Sequence, residues 1–552
     1  MVTMTVNGRQ VVSEKDEKLL TFLRETLGLT SVKNGCSEGA CGTCMILVDG
    51  RATKACVLKT SKCAGKSIVT CEGLTPRERD VYAYAFTSCG AVQCGFCTPG
   101  MVMSAKGLLD AVPDPTRAQV KEALKNNICR CTGYKKIEEA VLLAAKLLRE
   151  GIPVPACTFT GRVGENLPRV DAPAKTVGDA EYVDDMRVEG LCFGSAVRSA
   201  YPRARVLSID VSEARALPGV VALLTADDLP GNPKVGHLKK DYDVLIPVGG
   251  ITHFLGDAVA LVAAEDCETL ERAKALVRVE YEELPGVFSP AEAMAPGAPL
   301  VHEETPGNLL AHEHLVRGTP GDRRPVCGDH PFHPPTEHAF LETETALAMP
   351  DGDGVVIYSA DQGIYQTKKE CAEATGLPPE KVRVVARMVG GGFGGKEDMS
   401  VQHHAALLAL AAKRPVKVAL TRKESILIHP KRHAFEMEFT TACDENGYLT
   451  AMKATLISDT GAYASLGGPV LQRACTHAAG PYNYQDIEID GKAYYTIITA
   501  GAFRGWRDES AATGNLNLPP KGGHLPGDPL PQRHPACTPN ARSPTRPPPS
   551  RR

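Results

Sequence analysis

The spacing of apolar and polar positions changes several times along the chain, and each change marks a new unit. The opening MVTMTVNGRQVV alternates with a period of two on both sides of Asn7-Gly8, which predicts a strand pair around a tight turn. Helical spacing over Leu19 to Leu27 follows, then strand patterns around Met45 to Val48 and Ala52 to Val57. From residue 76 to about 150 the period is helical: Met101 to Leu109, Gln119 to Leu124, and an apolar face of Ala140, Leu143, Ala144, Leu147 and Leu148. Pro113-Asp114-Pro115 turns the chain between the first two of these helices. The stretch from Gly151 to Pro173, rich in Pro, Gly and mixed polar residues, reads as a connection. Beyond it, strand patterns over Cys192 to Val197, Val220 to Thr225 and Val259 to Ala263, with a helix over Thr269 to Val277, predict an α/β unit. Arg317 to Pro335 is poor in strand formers and rich in Pro, Arg and His.

Composition narrows this picture little. A chain of 552 residues with 43% apolar content has material for several cores, and a net charge of −3 gives no argument for nucleic acid. No leader pattern opens the chain and no apolar run approaches about 18 residues, so neither export nor a membrane span is expected. Nineteen cysteines, many in metal-site spacing, point to the reducing cytoplasm. Cys63, Cys71, Cys89 and Cys157 fall outside that spacing and are expected as small apolar core residues.

The candidate chemistry begins with those thiols. Gly35-Cys36-Ser37-Glu38-Gly39-Ala40-Cys41-Gly42-Thr43-Cys44 followed by Cys56 has the C-x4-C-x2-C…C spacing of plant-type [2Fe–2S] ferredoxins. Its glycines permit a loop that wraps a cluster closely and offers N–H groups to its sulfurs. A second set stands in Gln93-Cys94-Gly95-Phe96-Cys97-Thr98-Pro99-Gly100 and Asn127-Ile128-Cys129-Arg130-Cys131-Thr132-Gly133-Tyr134, where a CxxC and a CxC close one four-thiolate site. Taken alone, the second set also suits tetrahedral zinc or disulfides; two complete sets together favour an electron relay.

Further along, Met388-Val389-Gly390-Gly391-Gly392-Phe393-Gly394-Gly395-Lys396-Glu397 packs five glycines into six positions, a density warranted where backbone approaches a ligand closely. It lacks the GKS/T ending of a phosphate loop. Gln362 follows a strand pattern in Ser359-Ala360-Asp361-Gln362, and Gly501-Ala502-Phe503-Arg504-Gly505-Trp506 forms a second aromatic-basic loop. The pair His403-His404 follows the glycine loop into a helix, where packing is expected rather than metal binding.

The order of ferredoxin-like loop, QCGFCTPGM and CRCTGY resembles the N-terminal third of the xanthine dehydrogenase and aldehyde oxidoreductase family of molybdenum hydroxylases, and the likeness continues to about Trp506. It implies an α+β multidomain architecture: a β-grasp [2Fe–2S] ferredoxin domain over residues 1–75, a helical-bundle [2Fe–2S] domain over 76–155, and a linker over 156–174. A first α/β part of the molybdenum domain over 175–300 and a partial molybdopterin-binding domain over 301–506 would follow. The linker leaves no room for a flavin domain, so the chain is most similar to the flavin-free fused arrangement of the selenium-dependent xanthine dehydrogenase type. No FAD is expected in this chain, and electrons would leave to a separate FAD subunit or another acceptor. The resemblance implies two [2Fe–2S] clusters on Cys36, Cys41, Cys44 and Cys56 and on Cys94, Cys97, Cys129 and Cys131. It also implies molybdenum with molybdopterin cytosine dinucleotide against Gly392, Phe393, Gly394 and Gly395. Gln362 would hydrogen-bond the metal's apical oxo group, Glu397 and Arg473 would bind substrate, Arg504 would line the cofactor pocket, and Trp506 would pack on the substrate ring. The substrate implied is a purine such as hypoxanthine or xanthine, with an aldehyde as the rival, in a cytoplasmic enzyme that is a homodimer at full length.

After Trp506 the character changes. Residues 507–552 hold eleven prolines and six arginines and no Val, Ile, Met, Phe, Tyr or Trp, so a disordered tail is expected there, with the composition of a shifted reading frame. The second molybdenum subdomain of the family, with its glutamate base, has no match in this sequence. On that reading the chain as written is an iron–sulfur electron-transfer protein that keeps its clusters without turning over purines.

Overall fold

A computed structural model describes residues 1–156, 160–319, 327–444 and 448–504. The α+β multidomain architecture expected from the sequence is present. Residues Val2–Val6 and Arg9–Ser13 pair antiparallel across Asn7-Gly8, and a five-stranded sheet runs in the order Arg9–Ser13, Val2–Val6, Ser67–Val69, Met45–Val48, Arg51–Lys54. The Leu19 segment begins as an α-turn, Leu19–Thr21, and widens into a π-turn over Phe22–Thr26. Leu19, Leu23, Ile46 and Ile68 close the core beneath it.

Four helices follow: Pro76–Ser88, Thr98–Ala111, Arg117–Leu124 and Lys135–Arg149. Capping boxes start the first and third, with Thr75 and Glu78 satisfying each other's backbone N–H at one and Thr116 and Gln119 at the other. Their shared core is continuous with Cys36, Cys41, Cys97 and Cys129, so the cysteine sets are part of the packing between modules. Gly42 shows why the contact is close. It sits at φ +73, and a Cβ there would lie 2.2 Å from the carbonyl oxygen of Asn126 in the helical module. Ile128 N–H donates to the Cys41 carbonyl at 2.8 Å and Asn127 Nδ2 to the Gly42 carbonyl at 3.0 Å.

Residues 192–264 and 345–419 share one seven-stranded sheet, in the order Val382–Ala386, Gly354–Ser359, Thr345–Asp351, Val416–Ala419, Cys192–Arg198, Ala258–Ala264, Val220–Leu224. The sheet therefore takes strands from both sides of the boundary drawn at residue 300, because hydrogen bonding joins strands far apart in the chain. A six-stranded sheet built around Phe435–Cys443, Leu449–Gly461 and Asp486–Tyr495 carries the helix Gly467–His477 against it. Within the stretch read as poor in strand formers, Cys327–Asp329 and Phe332–His333 both pair with Phe435–Cys443. The helix Ala172–Val177 overlaps the stretch read as linker, and Ala172, Ala180 and Tyr182 enter the helical module's core.

Buried charge docks the ferredoxin-like module on the larger body. Arg24, 2% exposed, meets Asp184 at 2.7 Å and Asp185 at 2.9 Å, and Lys33 reaches Asp185 at 2.5 Å. Of the cysteines set aside as core, Cys63 and Cys71 are fully buried and Cys89 half-buried; Cys157 lies outside the described residues.

Candidate functional site

Each cysteine set converges. In the first, the backbone N–H groups of Glu38 and Cys41 point at Cys36 Sγ, at 3.5 and 3.4 Å. Cys41 Sγ lies 3.2 Å from Thr43 Oγ1. Contacts with the Cys41 and Cys56 thiols hold Cys36 well below the ordinary thiol range, and Cys56 in turn is held far above it. In the second, Cys131 N–H and Thr132 Oγ1 approach Cys129 Sγ at 3.4 and 3.2 Å. The Cys131 and Cys97 thiols bring Cys129 down to about 2, while Cys97 and Cys131 are pushed up. Four sulfurs crowded in each set, buried in the first and buried or half-buried in the second, with N–H donors already aimed at one of them, form an environment for thiolates that share a metal cluster. All eight are free of disulfides. The residues present therefore fit a [2Fe–2S] cluster in each set.

The glycine loop stands across a gap from the second set. Cys94, Cys131, Gln93, Arg387 and Phe393 line a space of about 410 Å³ between them. On the loop's other side, Gln362, Phe393, Gly394, Glu397, Arg473 and Arg504 line a cleft of about 500 Å³, together with Phe503. The sequence-predicted residues Gln362, Phe393, Gly394, Glu397, Arg473 and Arg504 thus share one cleft. Gly392 and Gly395 lie behind its wall, and Trp506 falls outside the described residues. His403 and His404 are buried in the helix Gln402–Ala412, away from this cleft, and burial pulls both imidazoles down, His403 to about 3.

Gln362 sets the loop's shape. Its Oε1 accepts from Gly394 N–H at 3.0 Å and Lys396 N–H at 3.3 Å, while its own backbone N–H donates to the Lys396 carbonyl at 2.8 Å. With Oε1 committed to the backbone, the amide's Nε2 is the end turned to donate. Gly392 is required here, since a Cβ would come 2.2 Å from Gln362 Oε1. Phe393 takes φ 58, a left-handed conformation unusual for an aromatic residue, and the Arg504 guanidinium lies over its ring at 4.9 Å. Arg504 N–H donates to the Phe393 carbonyl at 2.6 Å, tying the two loops together. Burial pushes the Glu397 carboxyl above its ordinary range, with the Asp398 charge adding to it.

Beneath the loop lie residues to which the sequence reading gives no role, although their stretch belongs to the family likeness. Glu342, fully buried, accepts from Gly390 N–H at 2.6 Å and from Lys396 Nζ at 2.9 Å. His338 donates toward the Ala502 carbonyl at 2.7 Å. Both stand in Glu337-His338-Ala339-Phe340-Leu341-Glu342, and a buried-charge pairing with Lys396 is the signal available there. A cradle this tight, with a donor amide at its edge and glycine where a side chain would intrude, fits one wall of a molybdopterin-bound metal.

The sequence matches four family descriptions in chain order. They are a 2Fe-2S iron-sulfur cluster binding domain over residues 4–72, a [2Fe-2S] binding domain over 70–142, an aldehyde oxidase and xanthine dehydrogenase a/b hammerhead domain over 177–285, and a molybdopterin cofactor-binding domain over 325–513. The large molybdopterin subunit of nicotinate dehydrogenase from Eubacterium barkeri is 35% identical over 62% of this chain and 81% of that protein. A probable xanthine dehydrogenase subunit of Bacillus subtilis is 37% identical over 61% of this chain and 46% of that protein. The solved aldehyde oxidoreductase of Desulfovibrio gigas superposes with a TM-score of 0.88 at 30% identity, covering 93% of this chain and 60% of that one. Iron–sulfur and molybdopterin-binding modules in this order define an oxidoreductase architecture. The chain belongs to the molybdenum hydroxylase family. It spans about half of the Bacillus relative and about six tenths of the aldehyde oxidoreductase. Among the described residues, no helix is long and apolar enough to cross a membrane.

Proposed function

We propose that the chain is the iron–sulfur and front molybdenum portion of a hydroxylase that oxidises a purine. The observation that carries this reading is the cleft in which Glu397 and Arg473 stand with the Gln362 amide. A purine presents ring N–H donors that a carboxylate accepts, and it gathers negative charge on oxidation that a guanidinium stabilises. A simple aldehyde has no ring N–H to offer the carboxylate. A bound molybdenum cofactor, proposed as the cytosine dinucleotide form, supplies the oxygen-transfer and two-electron chemistry.

The chain's own residues divide the remaining work. Gln362 presents a neutral donor beside the glycine loop and would help hold the cofactor there without adding charge. Cys94 and Cys131 face the same loop across the gap, and the Cys41 carbonyl to Ile128 N–H bond joins the second set to the first. That order supports electron flow from the cleft through the Cys94 set to the Cys36 set, and from there to a separate acceptor. An aldehyde is the second reading, favoured by the extent of the superposition on the Desulfovibrio enzyme. Replacing Glu397 and Arg473 singly with Leu in a full-length version that also carries the rest of the molybdenum domain, and comparing purine- with aldehyde-dependent dye reduction, separates the two. Selective loss on purines supports the proposal; equal losses on both substrates remove its basis.

A further inference from the structure

Three alternate carbonyls of the loop that carries Cys36, those of Gly35, Ser37 and Gly39, each accept from a cationic side chain. Arg422 Nε donates to Gly35 at 3.0 Å, Lys18 Nζ to Ser37 at 3.1 Å and Lys54 Nζ to Gly39 at 2.6 Å. The three cations come from separate segments. Lys18 precedes the turn Leu19–Thr21, Lys54 ends the strand Arg51–Lys54, and Arg422 opens the helix Arg422–Ile428 on the larger body. Lys54 Nζ also lies 3.5 Å from Asn126 Oδ1 of the helical module, which keeps the ammonium beside the loop.

One of these carbonyls shares its peptide with a donor to sulfur. The carbonyl of Ser37 and the N–H of Glu38 belong to one peptide unit; Lys18 donates to the first, and the second points at Cys36 Sγ at 3.5 Å. A cation on a carbonyl polarises the peptide and strengthens its N–H as a donor. The stronger donor and the nearby positive charge both favour added negative charge on a cluster held by this set, which raises its reduction potential. Little opposes them. Among the described residues neither Lys18 nor Lys54 forms an ion pair, and the neighbouring Lys59 is matched by Asp16 at 3.7 Å. Exposed Glu38 is the loop's one carboxylate. Arg422 has the charges of Glu344 and Glu337 beside it and also donates to the Leu341 carbonyl at 2.8 Å, so it anchors the loop while the two lysines supply the net charge.

We propose that Lys18 and Lys54 hold up the reduction potential of the first cluster through the carbonyls of Ser37 and Gly39, while Arg422 anchors the same loop at Gly35. They are positioning residues that act through the loop, without touching substrate. A raised potential makes this cluster a better acceptor for electrons arriving from the Cys94 set. The inference rests on a [2Fe–2S] cluster in the first set, which the parent protein's own resonance signal tests separately.

A dithionite titration of the anaerobically purified chain, followed by electron paramagnetic resonance, reads the midpoint of each cluster; the first set's signal is the one that Cys56→Ser removes. Lys18→Gln and Lys54→Gln keep a donor but remove the charge, and each should lower the reduced-to-oxidised ratio of that cluster at a fixed potential about threefold. The double variant should lower it about tenfold, a shift of about 59 mV for a one-electron couple. Lys54→Arg keeps the charge and should hold the parent midpoint, and the second cluster's midpoint should stay in place in every variant. An unmoved midpoint in the double variant, an equal fall in both clusters, or a Lys54→Arg midpoint as low as that of Lys54→Gln would overturn the proposal. Lys18 is exposed, so Lys18→Gln alone decides the matter if substitution of the half-buried Lys54 prevents folding, and an unmoved midpoint there overturns the proposal equally.

Discussion

The side-chain oxygen of Gln362 accepts the backbone N–H of Gly394 at 3.0 Å, a contact that spans 32 residues of chain and holds the glycine loop in place. Gln362→Ala should therefore free the amides of Gly394 and Lys396 and raise their hydrogen exchange by about tenfold, the effect of one or two lost hydrogen bonds. Gln362→Glu keeps the acceptor and should leave those amides protected. Exchange measured by mass spectrometry on the loop peptide distinguishes the two.

A methyl group at residue 392 fits only if the Gln362 side chain gives up its place and its two hydrogen bonds to the loop. Gly392→Ala places a Cβ 2.2 Å from Gln362 Oε1 and should cost about 1–3 kcal/mol of stability through overpacking. Gly468→Ala, whose Cβ would have only Ala311 Cβ at 4.0 Å, is the matched control and should be near neutral. Thermal unfolding of the two variants against the parent measures the difference.

Breaking the buried ion cluster should separate the modules. Asp185→Leu leaves Lys33 buried without its carboxylate and Arg24 with Asp184 alone, at a cost of about 3–5 kcal/mol. The exposed pair Lys381–Asp353 is the comparison: Asp353→Ala should change stability by less than about 1 kcal/mol. Denaturant unfolding of both variants checks the contrast.

These features differ in how far the sequence shows them. The cysteine sets and the glycine loop are legible because their ligands or turns recur at short, fixed spacing, and a cluster or a close backbone approach demands such spacing. Gln362 is legible only through the resemblance, because a polar residue after a strand is ordinary in itself. The Arg24–Asp184–Asp185 cluster joins residues about 160 positions apart, and the Glu342–Lys396 pair beneath the glycine loop joins residues 54 apart. No periodicity encodes such meetings; tertiary folding makes them. The shared seven-stranded sheet is hidden for the same reason, since strand partners are chosen by the sheet and not by chain order. The packing role expected for His403 and His404 follows from apolar neighbours within one helix, which a local reading does capture.

Those two histidines carry a pH prediction. Burial lowers His403 from an ordinary 6.5 to about 3 and moves His404 in the same direction. A depressed imidazole stays neutral in the fold while the unfolded chain takes up a proton, so its stabilising contribution is complete above pH 6.5 and is lost as pH falls toward 3. Each group should add a slope of about 1.4 kcal/mol per pH unit within that window. His403→Leu should flatten the fall in denaturation midpoint between pH 6 and 4, as followed by circular dichroism; an unchanged slope would show that His403 is not buried neutral.

The iron content of anaerobically purified chain, read together with electron paramagnetic resonance after reduction, tests the central claim that both cysteine sets hold [2Fe–2S] clusters. About four irons per chain and two distinct reduced-cluster signals are expected, with Cys56→Ser removing one signal and Cys131→Ser the other. Zinc in place of iron, or a single signal that survives both substitutions, would contradict it.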